Sequence, residues 1–346
     1  MPITDALMMG GLTPDHDLVF PACPADPEMR ESTSVWLYEE NGAFGFPRVG
    51  IEAEASSWDN RRVQGNFAVA GGRILNGAGM GAAHPPFGPD GNPTVLGAGP
   101  IAFTCLEPFR KWRVTWDGPV INGTVDQQIA RTLDPNNRTP IKFDVELEMV
   151  TPAWVQDISP EKVAQMSEAD RTEAANMGIG WRFEHLFRAH GTFFIDGRER
   201  EFKGVGLRVK RQSVRPLGGF RGHCWQSAVF PDGRAFGYIT YPPREDGSAY
   251  NEGYIYQDGK MYPARAVKIP WLRRIVGEGD DASLELESEL GITCIAGVTA
   301  LSTFRVGNPD IGGLNLQQGG VHYTWEGQTA YGMIERSSHE SLTTIG

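Results

Sequence analysis

His223 and Trp225 stand two residues apart in HCWQSAV, and Tyr250, Glu252, Tyr254 and Tyr256 repeat that spacing in YNEGYIYQ. Side chains two apart share one face of a strand, so each set presents its groups together. An imidazole, a carboxylate and phenols between aromatic walls suit general acid–base chemistry on an apolar small molecule, and burial shifts such groups toward neutrality. In this reading a protonated His223 or Glu252 donates to an alkene or a leaving group. Tyr250 or Tyr254 assists by hydrogen bonding, and the ring face of Trp225 shelters the developing cation. Trp181, His185, Lys210 and Tyr238 are expected to contact substrate alongside Trp225.

The elements that must hold these groups read as strands. From Trp181 to Ile195, Trp181, Phe183, His185, Phe187, Phe193 and Ile195 alternate with Arg182, Glu184, Arg188, His190 and Thr192. That is a strand with one apolar face. Glu184 and His185, being adjacent, face opposite sides. Asp196-Gly197 then supplies a hairpin turn, one of many Asn-Gly and Asp-Gly pairs in the chain. Further strands are expected at 34–38, 46–54, 61–70, 73–76, 101–122, 141–150, 250–257, 261–269, 284–290, 293–306 and 320–336. A polar helix is expected from Ser159, Pro160 and Glu161 to Gly178. With few helices and no βαβ alternation, the chain reads as all-β, two packed sandwiches or barrels. The expected divisions are an N-terminal extended arm (1–30), a first β domain (31–155), a helical linker (156–178) and a second β domain (179–346).

Composition removes several function classes. The 346 residues are 40% hydrophobic and carry a net charge of −11. Such acidity argues against nucleic acid and against adhesion to anionic membranes. No long apolar run or leader pattern occurs, so a cytoplasmic location and no membrane insertion are expected. Four scattered cysteines form no Cys-x-x-Cys, and neither His-x-His nor His-Glu-x-x-His occurs, so no metal site is signalled. Nothing points to a nicotinamide, flavin or haem, and no cofactor is expected. Residues 77–100, rich in Gly and Pro, read as a lid over a pocket. Lys203, Arg208, Lys210, Arg211 and Arg215 read as a solvated strand edge, although arginine forks there would also match a carboxylate or phosphate. Edge strands make a homodimer plausible.

His322-Tyr323-Thr324-Trp325-Glu326-Gly327 followed by Tyr331-Gly332-Met333-Ile334-Glu335 resembles the Trp-Glu-Gly … Gly-x-x-Glu ending of the carotenoid 1,2-hydratase and AttH-like superfamily. Gly204-Val205-Gly206-Leu207-Arg208, Cys224 to Gly233, and Glu107-Pro108 … Trp112-Arg113-Val114 … Asp117-Gly118 are similar to that superfamily too. The resemblance implies two lipocalin-like β-barrel domains and an acid–base enzyme without a cofactor. Such an enzyme hydrates, cyclises or isomerises terpenoid or polyketide-like molecules. Many relatives carry Asp-His-x-Trp-Gly after Gly-x-Gly-x-Arg, and here Lys210 stands in place of that histidine. The leading expectation is a lyase or isomerase acting on an apolar terpenoid, polyketide-like or aromatic small molecule. The alternatives are a non-catalytic binder of hydrophobic ligands and, behind it, a metal-dependent oxygenase or hydrolase.

Overall fold

Asp196 and Gly197 both take positive φ, 54° and 75°, as the tight turn between two long strands requires. Asp258 and Gly259 repeat the pattern at 53° and 76°. Such turns, with side chains alternating in and out, fold the chain into two closed eight-stranded antiparallel barrels. The computed structural model describes residues 4–158, 163–214 and 220–346.

The first twelve strands are β1 (Met29–Glu39), β2 (Phe44–Glu54), β3 (Asn60–Val69), β4 (Arg73–Asn76), β5 (Gly79–Ala82), β6 (Val95–Ala98), β7 (Ile101–Glu107), β8 (Lys111–Thr124), β9 (Arg138–Met149), β10 (Trp154–Ile158), β11 (Ile179–Ile195) and β12 (Arg198–Val214). The first barrel runs β1-β2-β3-β4-β8-β9-β11-β12 and closes where β12 pairs with β1. The second contains β13 (His223–Val229), β14 (Ala235–Thr240), β15 (Asn251–Gln257), β16 (Lys260–Lys268), β18 (Leu284–Ser288), β19 (Gly291–Asn308), β20 (Leu314–Trp325) and β21 (Gln328–Ser338). The two-residue β17 (Arg274–Ile275) lies outside it.

Three expectations about organisation are corrected. The sequence places residues 179–214 in the second domain, yet β11 and β12 complete the first barrel. The helix, observed at Glu168–Met177, does not join the barrels. It is inserted between β10 and β11, which pair with each other. A polar helix beside a strand looks like a divider in sequence, but strand pairing ignores what is inserted between partners. The expected cap at Ser159, Pro160 and Glu161 lies outside the described residues, whereas Gly178 leaves the helix at φ 99°. Residues 77–100 are not a structureless lid either. They contain β5 and β6, which pair with β3 and β7.

Inside the first barrel the alternation buries aromatics. Phe46 meets Phe44, Phe67, Phe143 and Phe202 at ring distances of 5.3, 5.3, 4.8 and 5.6 Å, contacts worth about 0.5–1.5 kcal/mol each beyond their area. The N-terminal arm stoppers this barrel. The buried Asp17 carboxylate accepts from Phe109 N–H (2.6 Å), Trp112 Nε1 (2.9 Å) and Arg208 Nη2 (2.6 Å).

The barrels touch outer wall to outer wall. Trp36, Tyr38, Leu186, Val205 and Leu207 of the first pack with Trp225, Val229, Leu301 and Met333 of the second. Tyr38 is slotted between glycines. A Cβ on Gly45 would come within 2.5 Å of its ring, and one on Gly320 within 2.7 Å.

Candidate active site between the barrels

Where the outer walls diverge they leave a cleft of about 320 Å³. Its first-barrel side includes Trp36 and Arg48, and its second-barrel side includes His223, Trp225, Gln318 and Glu335. Two β-bulges aim its basic groups. In β2 the register slips between Gly45 and Arg48, across Pro47. Proline has no N–H to give the ladder and is tolerated at bulges. The slip leaves Phe46 and Val49 both inside the barrel and turns Arg48 out. In β19 the register slips between Ala300 and Thr303, where Leu301 takes φ 50°, and Arg305 then faces the cleft.

His223 is the centre of a polar chain. On the paired strands β13 and β21, His223 lies opposite Ser337 and Trp225 opposite Glu335. The imidazole therefore meets Ser337 Oγ through Nδ1 (2.8 Å) and Glu335 Oε1 through Nε2 (3.3 Å). Gln318 Nε2 donates to Glu335 Oε2 (2.6 Å), and Asn66 Nδ2 of the first barrel donates to Gln318 Oε1 (2.7 Å). Burial pushes the Glu335 carboxyl up, but Arg48 and its hydrogen bonds to His223 and Gln318 prevail and hold it at about 2. An ionised Glu335 favours the tautomer with the proton on Nε2. Nδ1 then accepts from the Ser337 hydroxyl. An imidazole oriented by a carboxylate in this way has the geometry that proton transfer needs.

Trp225 forms the adjoining wall. Its ring meets Trp36 edge-on at 4.7 Å and lies under the Arg182 guanidinium at 5.0 Å. Trp225 Nε1 donates to Glu184 Oε2 (3.3 Å), and Glu184 is ion-paired with Arg182 (2.6 Å). Burial raises the Glu184 carboxyl above its ordinary range despite that arginine. Phe220 and Tyr241 pack at the far side of His223, with ring distances of 5.3 Å from Phe220 to His223 and 5.7 Å from Phe220 to Tyr241.

The other expected site residues lie elsewhere. Tyr250 donates to Glu252 Oε2 (2.6 Å) and accepts from Gln156 Nε2 (3.3 Å), so this pair stands behind the cleft-lining Gln156 and outside the cleft lining. Burial, then Glu252, raises the Tyr250 hydroxyl well above its ordinary value. Tyr254 is buried against Trp154 at 5.4 Å. Tyr238 points into the second barrel, where it donates to Gln226 Oε1 (2.5 Å). Trp181 is 43% exposed, edge-on to His16. His185 faces the first barrel's interior, opposite Glu184, and meets the Met8 carbonyl (3.1 Å). Lys210 is also inside, bound to Glu31 (2.9 Å). The basic run is therefore not a solvated edge. Arg208 and Lys210 are buried, Arg211 lines the cleft, and Arg215 lies outside the described residues. Residues 77–100 contribute nothing to the cleft lining. Among the described residues no group of three or more His, Cys, Asp and Glu side chains is placed to hold a metal ion, and no helix is long and apolar enough to cross a membrane.

Sequence reasoning missed Glu335, Gln318 and Arg48. Glu335 closes the Gly-x-x-Glu ending noted as a point of resemblance, which was the available signal.

The family described as "Domain of unknown function (DUF7064)" matches residues 13–340. The chain belongs to that family. No curated protein matches it in sequence. Among solved structures it is similar to a protein provisionally named AttH from Nitrosomonas europaea, at 14% identity and TM-score 0.56, covering 93% of this chain and 99% of that one. It is also similar to CghA in complex with Sch210972, at 12% identity and TM-score 0.51, covering 90% and 89%. A kievitone hydratase from Nectria haematococca aligns at 11% identity and TM-score 0.46, covering 93% of each chain. The chain thus shares its fold with the AttH protein and CghA.

Proposed function

We propose that this protein is an acid–base lyase or isomerase working in the cleft between its barrels. It would add or remove water, close a ring or shift a double bond in a small molecule with an apolar body. The observation that carries this reading is His223. It lies in a cleft with a tryptophan wall, and an ionised Glu335 fixes its ring while Ser337 stands at its other nitrogen. His223 takes the substrate proton at Nδ1 once the Ser337 hydroxyl turns away from that nitrogen, and Glu335, at Nε2, balances the imidazolium that forms. Trp36 and Trp225 give the cleft an apolar wall beside His223. The motif resemblance to the carotenoid 1,2-hydratase and AttH-like superfamily supports such chemistry, and CghA, which shares the fold, is a protein crystallised with a small molecule, Sch210972.

The test is incubation of the protein with a panel of unsaturated terpenoid and polyketide acids and alcohols, followed over time by mass spectrometry. Products that are isomers of the substrate, or differ from it by one water, are expected. His223→Gln should cut turnover by about 10²–10⁴-fold, the usual share of a general acid–base group, and Glu335→Gln should follow in the same direction. Compounds that bind yet always return intact would instead make this a carrier.

A further inference from the structure

The chain carries a net charge of −11, but six arginines line the cleft against four carboxylates. Two of these arginines have bonding capacity to spare. Arg48 reaches Glu52 and Glu335 only at 3.8 Å each, too far for hydrogen bonds, and its buried Nε has no partner. Its guanidinium lies over Trp36 at 5.3 Å. Arg305 reaches Asp310 at 3.5 Å, a carboxylate that Arg62 already engages at 3.0 Å. Burial and the charge of Arg48 both lower the Arg305 pKa. Both guanidiniums are half-buried and open on the cleft, where a planar oxyanion between the two forks would take up the donors their long contacts leave over.

We propose that the substrate is an acid whose carboxylate sits between Arg48 and Arg305, its apolar body lying along Trp36 and Trp225. The inference rests on the cleft being the substrate site. It narrows the substrate class from small molecules with an apolar body to apolar acids. It also places the reacting part beside His223, because Glu335 lies 3.8 Å from Arg48 and 3.3 Å from the imidazole.

Calorimetric titration with 2-naphthoate and with 2-naphthamide, which share a body and differ in charge, tests it. The carboxylate is expected to bind about 10–100-fold more tightly, as loss of a charged hydrogen-bonded partner implies, and the difference should shrink as salt rises. Arg48→Gln and Arg305→Gln should each weaken naphthoate by about tenfold and leave naphthamide unchanged. The wild-type contrast needs no variant, so it stands even if one of them fails to fold. Equal affinities, absence of naphthoate binding, or naphthoate affinity untouched in both variants that fold would overturn the proposal. His223→Gln separates this from the catalytic reading, since it should cut turnover as above while naphthoate binding persists. Arginine-dependent binding with no turnover of any acid would sink the catalysis and keep the carboxylate site.

Discussion

The two faces of the β11–β12 hairpin both bury charge, yet they do so in different ways. Facing in, Arg208 is clamped by Asp17 at 2.6 Å and Lys210 by Glu31 at 2.9 Å, and the Arg208 guanidinium lies 4.3 Å from the Trp112 ring. Facing out, Arg182 is paired with Glu184 at 2.6 Å on the border of the cleft, and Arg48 of β2, on the same side, reaches its carboxylates only at 3.8 Å. A charge held by a short bond on an otherwise closed face contributes to holding the N-terminal arm in place. A charge with spare donors beside an open cavity is available to a ligand. Burial alone does not distinguish the two, whereas bond length and access to the cleft do.

Breaking the inner face should have the largest effect. Arg208→Ala strands the Asp17 carboxylate in the barrel, and a loss of about 3–5 kcal/mol in denaturant unfolding is expected. An unchanged midpoint would show that the arm does not close the barrel.

Acid should separate the faces by pH. Burial, and then Arg208, lowers His185 from 6.5 to about 4. The unfolded chain therefore takes up that proton first, and stability falls as pH drops from 6.5 to 4. Glu335 is depressed from 4.5 to about 2. Its contribution is complete above 4.5 and is lost as pH falls toward 2. His185→Phe should flatten the upper window and Glu335→Gln the lower one, read as denaturation midpoints across pH. Retention of both slopes in both variants would contradict the assignment.

A smaller effect is expected from disturbing only the contact between the walls. Gly320→Val puts a branched side chain where even a Cβ meets Tyr38 at 2.7 Å, and overpacking of this kind costs about 1–3 kcal/mol. Naphthoate affinity should fall with it if the cleft needs both walls in register, and titration of the folded variant reads this directly. The smallest effect belongs to Trp181→Ala. The side chain is exposed and outside the cleft lining, so a change within about 0.5 kcal/mol in stability is expected, with turnover unaltered. A large loss of turnover would move the site.

Strands and hairpins were legible because period-two alternation and Asp-Gly pairs act locally. The opposed directions of Glu184 and His185 follow from the same rule. Three things were not legible. Arg48 and Arg305 owe their directions to slips of register at Pro47 and Leu301, and a bulge reverses alternation without a strong local signal. Arg208 and Lys210 resemble edge residues in sequence because their acidic partners are 191 and 179 residues away. Glu335 was visible as part of a motif, but its role depends on His223, which only the pairing of β13 with β21 brings to it. Tyr250 and Glu252 were correctly read as neighbours on one strand face. Nothing in that spacing says that Gln156, from another sheet, stands between them and the cleft.

The pairing of β1 with β12 has a consequence for synthesis. Met29 at one end of the seam partners Val214, so a chain growing from its N-terminus exposes β1 as an unpaired edge until more than 200 residues have emerged. Contacts this distant in sequence are slow to form, and open strand edges are where nascent chains aggregate. The second barrel, by contrast, is assembled from one uninterrupted stretch, His223 to Ser338. Both strands of the seam emerge before it, and the cleft, which needs walls from both barrels, cannot form until His223–Ser338 has followed.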